Sequence, residues 1–222
     1  MKIRDAYDAW AGGYDGQENK TRDLDKEITS GVLAGRWFRN ILELGCGTGK
    51  NTPFYAEIAG SVTAFDFSAA MLDRAREIAG LTNVTFRQVD LRALWPVEDD
   101  SMDLVACNLV LEHIEDLGHV FSEAARVLEP GGTFFICEFH PFRQYLGNKA
   151  TMKTGAVERE IPAFVHHISD FLDAAMANGF TLERFNEWRH EEDEDKPPRL
   201  ATFLFRKREK GKAKVGRKAL LR

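Results

Sequence analysis

Short apolar runs alternate with amphipathic stretches along the chain from residue 41 onward. Near-continuous apolar character at 41–44, 62–65, 84–89, 103–107 and 133–139 predicts strands covered on both faces. Between them, 51–59, 69–79 and 121–128 carry apolar side chains at helical spacing, with Ser68 placed to cap the second helix and Pro130-Gly131-Gly132 to end the third. That alternation predicts βαβ units and a parallel sheet. After the fifth strand the pattern changes. Residues 169–178 predict an amphipathic helix stopped by Gly179, and two strands follow at 180–188 and 199–206, joined by the acidic run 191–198. A strand-to-strand link without a helix implies an antiparallel hairpin. The expected fold class is α/β: a seven-stranded, mostly parallel sheet with helices on both faces and a C-terminal antiparallel hairpin.

Length and composition narrow the classes. A chain of 222 residues with 44% hydrophobic and 29% charged residues suits one globular domain with one site, and no apolar run approaches the roughly 18 residues of a membrane span. The opening segment lacks a secretory pattern, so a cytoplasmic protein is expected. Cys46, Cys107 and Cys137 have no C-x-x-C spacing and read as reduced thiols; with the histidines scattered, no metal is expected. The net charge of −5 is unevenly spread, because residues 206–222 hold nine Lys or Arg against Glu209 alone. That end carries +8 and the remainder −13. Residues 207–222 are expected to form a basic, disordered tail; sequence-independent contact with nucleic acid is the other reading of such a charge block.

The chemistry concentrates at Gly45-Cys46-Gly47-Thr48-Gly49-Lys50, a glycine turn after the first strand that lets backbone N–H groups approach a ligand. A phosphate-binding Walker loop would need glycine where Leu44 stands and Ser or Thr at Asn51. The dinucleotide fingerprint would need glycine at Lys50. What remains is E-x-G-x-G-x-G, and Ile41-Leu42-Glu43-Leu44-Gly45-Cys46-Gly47-Thr48-Gly49 resembles the first motif of class I S-adenosylmethionine (SAM)-dependent methyltransferases. Asp66, 19 residues past Gly47, ends the second strand, and Val89-Asp90-Leu91 ends the third. Asp103-Leu104-Val105-Ala106-Cys107-Asn108 and Leu128-Glu129-Pro130-Gly131-Gly132 are similar to the family's fourth strand and the turn into its fifth. Tyr7-Asp8-Ala9-Trp10-Ala11-Gly12-Gly13-Tyr14-Asp15 resembles the opening segment of the small-molecule methyltransferases of that family, the group of methyltransferase type 11.

The resemblance implies a Rossmann-like fold, SAM as cofactor with S-adenosylhomocysteine as product, and transfer of methyl to a small-molecule acceptor. It implies an N-terminal helical cap or lid over residues 1–40, a methyltransferase domain over 41–206, and a substrate-binding insert at 141–165. The cofactor would be held by Tyr14, Arg22, Glu43, Gly45, Cys46, Gly47, Asp66, Phe67, Met71, Asp90, Leu91 and Asn108. Within that set Asp66 would take the ribose hydroxyls and Asp90 the adenine edge. Taken singly, Gly47 and Gly49 also suit strand-to-helix packing, Asp66 helix capping and Asp90 a strand end. Phe67 and Met71 suit core packing equally well.

Methyl transfer from a sulfonium is an in-line displacement that alignment and desolvation can drive, with a general base where the acceptor must lose a proton. Histidine is the natural base near neutral pH. His140, ending the fifth strand on the carboxyl edge, is the first candidate, and His113, after the fourth strand, is the second; His166 and His167 lie in the region expected to vary with substrate. Asn108-Leu109-Val110-Leu111 lacks the Asn/Asp-Pro-Pro-Tyr motif of amino-group methyltransferases acting on nucleic acid or protein. No Pro-Cys pair supplies the nucleophile of cytosine enzymes. An RNA methyltransferase using the basic tail and a non-catalytic cofactor-binding partner subunit are the alternatives.

Overall fold

The computed structural model describes residues 3–16, 19–148, 151–154 and 157–209. Nine strands and seven helices follow in the order α1 (Ile3–Trp10), α2 (Lys20–Leu33), β1 (Phe38–Leu44), α3 (Thr52–Glu57), β2 (Ala59–Asp66), α4 (Ala69–Arg76), β3 (Val84–Gln88), β4 (Met102–Asn108), α5 (Leu117–Val127), β5 (Leu128–Phe139), α6 (Pro141–Tyr145), β6 (Thr151–Thr154), β7 (Val157–Glu160), α7 (Ile168–Ala177), β8 (Phe180–Trp188) and β9 (Leu200–Lys207). The main sheet has the order β3-β2-β1-β4-β5-β9-β8. Strands β1 to β5 pair in parallel, and β9 runs antiparallel to both β5 and β8. The expected α/β class, the mostly parallel seven-stranded sheet and the closing hairpin are all present.

Both sheet faces are dry, which is why the strands read as unbroken apolar runs. Leu42, Leu44, Val105, Cys107, Phe134 and Ile136 point to one face and pack on Val120, Phe121, Ala124 and Val127 of α5 and Phe171 and Ala175 of α7. Their neighbours in sequence, Ile41, Leu104, Ala106, Phe135 and Cys137, point to the other and meet Leu24, Ile28 and Leu33 of α2 and Tyr55 of α3. Burying one such side chain contributes about 1.5–3 kcal/mol, so these two layers fix strand order and register.

Several boundaries shift from the sequence reading. Helix α5 starts at Leu117, earlier than expected, because Asp116 caps it by accepting from the His119 N–H. It ends at Val127, and Leu128 already pairs with Met102, so Pro130-Gly131-Gly132 lies inside the first half of β5 and does not terminate the helix. Lys207 and Arg208 also differ from the expected tail. Lys207 belongs to β9 and its ammonium reaches Asp100 and the Leu128 carbonyl, while Arg208 donates its N–H to Gly179 O. The rest of the predicted tail, 210–222, lies outside the described residues. Among its described residues, the segment 141–165 holds α6 and a small antiparallel β6–β7 pair. No helix of the described residues is long and apolar enough to cross a membrane.

Asp193, 1% exposed, ties α6 to the β8–β9 connection. Its carboxylate accepts from Arg143 at 2.8 Å and from Arg199 Nε at 3.0 Å, and Arg143 also donates to the Pro197 and Pro198 carbonyls. Removing one partner of a buried ion group strands the others. Asp193→Ala should therefore cost about 3–5 kcal/mol in a urea titration; a loss below about 1 kcal/mol would reduce the cluster to a surface pair.

Candidate active site

The carboxyl ends of β3, β2, β1 and β4 lie side by side, and the loops leaving them bound a cavity of about 710 Å³. Along this edge the sheet order sets Asp90, Asp66, the glycine loop and Asn108 in sequence. All twelve residues expected at the cofactor line this one cavity: Tyr14, Arg22, Glu43, Gly45, Cys46, Gly47, Asp66, Phe67, Met71, Asp90, Leu91 and Asn108. His113 lines it as well.

Backbone geometry explains the glycines. Gly45 has φ 67°, and a Cβ there would stand 2.3 Å from Val110 Cγ2, so the loop after β4 lies directly on it. Gly47 has φ 55°, and a Cβ there would meet nothing within 4 Å, which leaves its backbone open to a ligand. Its N–H donates to Asp66 Oδ2 at 2.9 Å, while Ser68 N donates to Asp66 Oδ1 at 2.8 Å. The Asp66 carboxyl is 6% exposed, and burial raises it to about 6.

Beneath the glycine loop is a buried polar network. Glu43, 4% exposed, accepts from the Thr52 hydroxyl at 2.7 Å, and burial raises its carboxyl to about 8. Asp25 of α2 accepts from Asn108 Nδ2 at 2.7 Å and Asn51 Nδ2 at 2.8 Å, and burial raises it too. Asn108 Oδ1 in turn accepts from the Tyr55 hydroxyl at 2.7 Å. Asp25, Glu43 and Asp66 thus border the cavity, and among the described residues Glu43 and Asp25 take their hydrogen bonds from neutral side chains. At the far end Asp90 is different. Arg92 holds it in two hydrogen bonds of 2.9 and 2.6 Å, with Arg4 at 3.6 Å, and its carboxyl is lowered by Arg92.

The N-terminal segment forms the remaining wall. Ile3, Arg4, Asp5 and Tyr7 of α1 line the cavity. Asp8 accepts from the Ser68 hydroxyl at 2.5 Å and Asp15 from the Thr48 hydroxyl at 2.7 Å. Arg22 stacks over the Tyr14 ring at 3.9 Å and donates to the Tyr14 carbonyl. Tyr7 OH lies 2.8 Å from His113 Nε2, and His113 Nδ1 lies 3.0 Å from the Pro162 carbonyl. A carbonyl only accepts, so Nδ1 carries the proton in neutral His113 and Nε2 accepts from Tyr7.

His140 does not join this group. Its ring is 3% exposed and lies outside the cavity, with Nε2 on Glu187 at 2.8 Å and Nδ1 accepting from Phe142 N. The cause is the pairing of β5 with β9: His140 N–H donates to Arg199 O, which turns the ring toward β8. His166 is likewise committed, with Nε2 on the Leu111 and Ile114 carbonyls. Tyr7 and Asn51 enter the sequence reading only through motifs and not as site residues, and Asp25 does not enter it, although it is a lone acid on the apolar Leu24/Ile28 face of α2. Among the described residues no His, Cys, Asp and Glu cluster could hold a metal ion.

Residues 42–136 match the family described as a methyltransferase domain. The ubiquinone/menaquinone biosynthesis C-methyltransferase of Acidiphilium cryptum is 34% identical over 147 residues, 62% of this chain and 59% of that protein. The chain thus spans less than two thirds of that relative's length. An S-adenosylmethionine-dependent methyltransferase from Mesorhizobium loti superposes with a TM-score of 0.69 at 22% identity, covering 82% of this chain and 98% of that one. The N-methyltransferase NodS of Bradyrhizobium japonicum, solved with S-adenosyl-L-homocysteine, gives 0.70 at 15% identity over 93% and 99%. At these identities the two structures establish the fold.

The raised carboxyl groups have a consequence for stability. Folded Glu43 keeps its proton to about pH 8, whereas an unfolded glutamate loses it near about 4.3. Between these values the folded chain binds more protons than the unfolded one, so Glu43 makes the ligand-free protein lose stability as pH rises from about 5 to about 8. Urea midpoints measured across that window should fall less steeply in Glu43→Gln than in the wild type. An identical slope would mean that Glu43 ionises normally in the folded chain.

Proposed function

We propose that the chain is a class I, SAM-dependent methyltransferase that transfers a methyl group from SAM to a small-molecule acceptor, a reading supported by the match of residues 42–136 to a methyltransferase domain. The observation that carries the reading is a single cavity joining the glycine loop, Asp66 and Asp90 to the Tyr7–His113 pair. The donor set fits this cofactor. Asp66, ionised at neutral pH, suits a ligand carrying an ammonium and a sulfonium and opposes a phosphate chain, while buried Glu43 and Asp25 offer carboxyl groups that a bound cation would favour in the ionised form. The open space beside Gly47 and the carboxylate of Asp66 suit the ribose, and Phe67, Met71 and Leu91 supply an apolar slot for the adenine beside Asp90. Arg22 and Tyr14 close the methionine end.

When bound, SAM supplies a methyl group on a positively charged sulfur. The chain's own residues align the acceptor with it, exclude water through α1, and take the acceptor's proton where there is one. Tyr7 is half-buried, and burial holds its hydroxyl well above the ordinary phenol range. A free phenolate is therefore unfavourable, and Tyr7 passes a proton instead of storing one. Where the acceptor carries a proton, it would move to the Tyr7 oxygen as the Tyr7 hydroxyl proton moves to His113 Nε2. His113, fixed in the right tautomer by Pro162, is the base. Three buried thiols, none in a disulfide, suit a reducing cytoplasm.

The reading is tested by calorimetry and by methyl transfer from labelled SAM to pooled metabolites. SAM and S-adenosylhomocysteine should bind, and ATP and NADH should not compete. Asp66→Ala should weaken SAM by about 1.5–3 kcal/mol. His113→Gln and Tyr7→Phe should lower turnover by about 100-fold for an acceptor that loses a proton, at nearly unchanged SAM affinity. Tighter binding of ATP than of SAM would overturn the assignment.

A further inference from the structure

Glu138 takes no part in the mechanism above, yet it is 2% exposed at the end of β5, beneath the loop that carries His113. Its Oε1 accepts two backbone hydrogen bonds, from Val110 N at 2.9 Å and Leu111 N at 2.8 Å. Its Oε2 is buried without a hydrogen-bond partner among the described residues. These two amides open the tight turn Leu111–His113, in which His113 N donates to Val110 O and Ile114 N to Leu111 O. A first-turn N–H has no partner within its own turn, so Glu138 does for this turn what a capping side chain does for a helix, from a different strand.

The residue just before is strained. Leu109 lines the cavity with φ 56°, a left-handed conformation that a branched side chain keeps only where its surroundings enforce it. Two contacts do so: Leu109 N donates to Cys137 O, one residue before Glu138, and Val110 packs on Gly45.

We propose that Glu138 is a positioning residue that locks the 109–113 turn and thereby holds His113 Nδ1 against the Pro162 carbonyl that fixes its tautomer. The proposal rests on the reading of His113 as the proton acceptor only for its effect on rate, not for its structural content. Burial raises the Glu138 carboxyl to about 8, so at neutral pH it is an uncharged acid, for which glutamine is a near isostere. The Gln oxygen can still accept from both amides.

The test uses the full chain labelled with ¹⁵N-histidine, with His113 identified by its loss in His113→Gln. In the wild type and in Glu138→Gln, His113 should show one tautomer, protonated at Nδ1. In Glu138→Leu its two ring nitrogens should move to averaged positions, and SAM affinity should stay within about threefold. If Glu138→Leu does not fold, Glu138→Asp, one methylene too short to reach both amides, takes its place. Hydrogen exchange at Val110 and Leu111 should then rise by about tenfold or more while Ile136 and Cys137 keep their protection. An unchanged His113 tautomer in Glu138→Leu, or unchanged protection in Glu138→Asp, would overturn the proposal. A disordered His113 with undiminished methyl transfer would support the role of Glu138 and remove His113 from the chemistry.

Discussion

The cavity exists because β1 lies between β2 and β4. The chain leaves β1 for one neighbour and returns to the sheet on the other side, so the loops after β1 and β4 diverge and open a crevice at their carboxyl ends. Everything the site needs follows from that divergence. The glycine loop turns from β1, Asp66 and Asp90 arrive from β2 and β3 on one side, and Asn108 to His113 arrive from β4 on the other. The close packing of Val110 on Gly45 then sets how wide the crevice opens.

The floor of this crevice is polar where a sheet core is ordinarily apolar. Burying Asp25, Glu43 and Glu138 is unfavourable, and each is made tolerable by hydrogen bonds: Asn51 and Asn108 to Asp25, Thr52 to Glu43, backbone amides to Glu138. These bonds lower the carboxyl groups without overcoming desolvation, which is why Glu43 and Glu138 remain raised to about 8. A fold optimised for stability alone would place apolar side chains there. Asp25 of α2 and Glu43 of β1 border the cavity, whereas Glu138 lies outside its lining and holds the turn that follows β4.

The sheet was legible in the sequence because parallel strands buried on both faces leave an unmistakable run of apolar residues, and the glycine loop because its spacing has few physical solutions. Most of the residues expected at the cofactor share one cavity because they sit at or just past strand ends, whereas Tyr14 and Arg22 come from the N-terminal segment and Met71 from α4. Boundaries were less legible: the cap by Asp116 and the early start of β5 at Leu128 depend on side-chain bonds and pairing that no periodicity records. His140 illustrates the deeper limit. Its strand end was placed correctly, but the direction of its ring is decided by β9, a strand 60 residues later whose register cannot be read locally. Tyr7 and His113 meet only through the fold, 106 positions apart.

The N-terminal segment meets the walls of the cavity through two kinds of contact. Arg4 pairs with Asp90 at an exposed edge, whereas Asp8 and Asp15 bond the hydroxyls of Ser68 and Thr48, both buried residues. An exposed ion pair contributes about 0–1 kcal/mol and is screened by added salt. The hydroxyl bonds and the Ala6, Trp10 and Ile161 cluster carry no such charge dependence. Ionic strength therefore acts on the outer edge of this wall and leaves its inner seam in place.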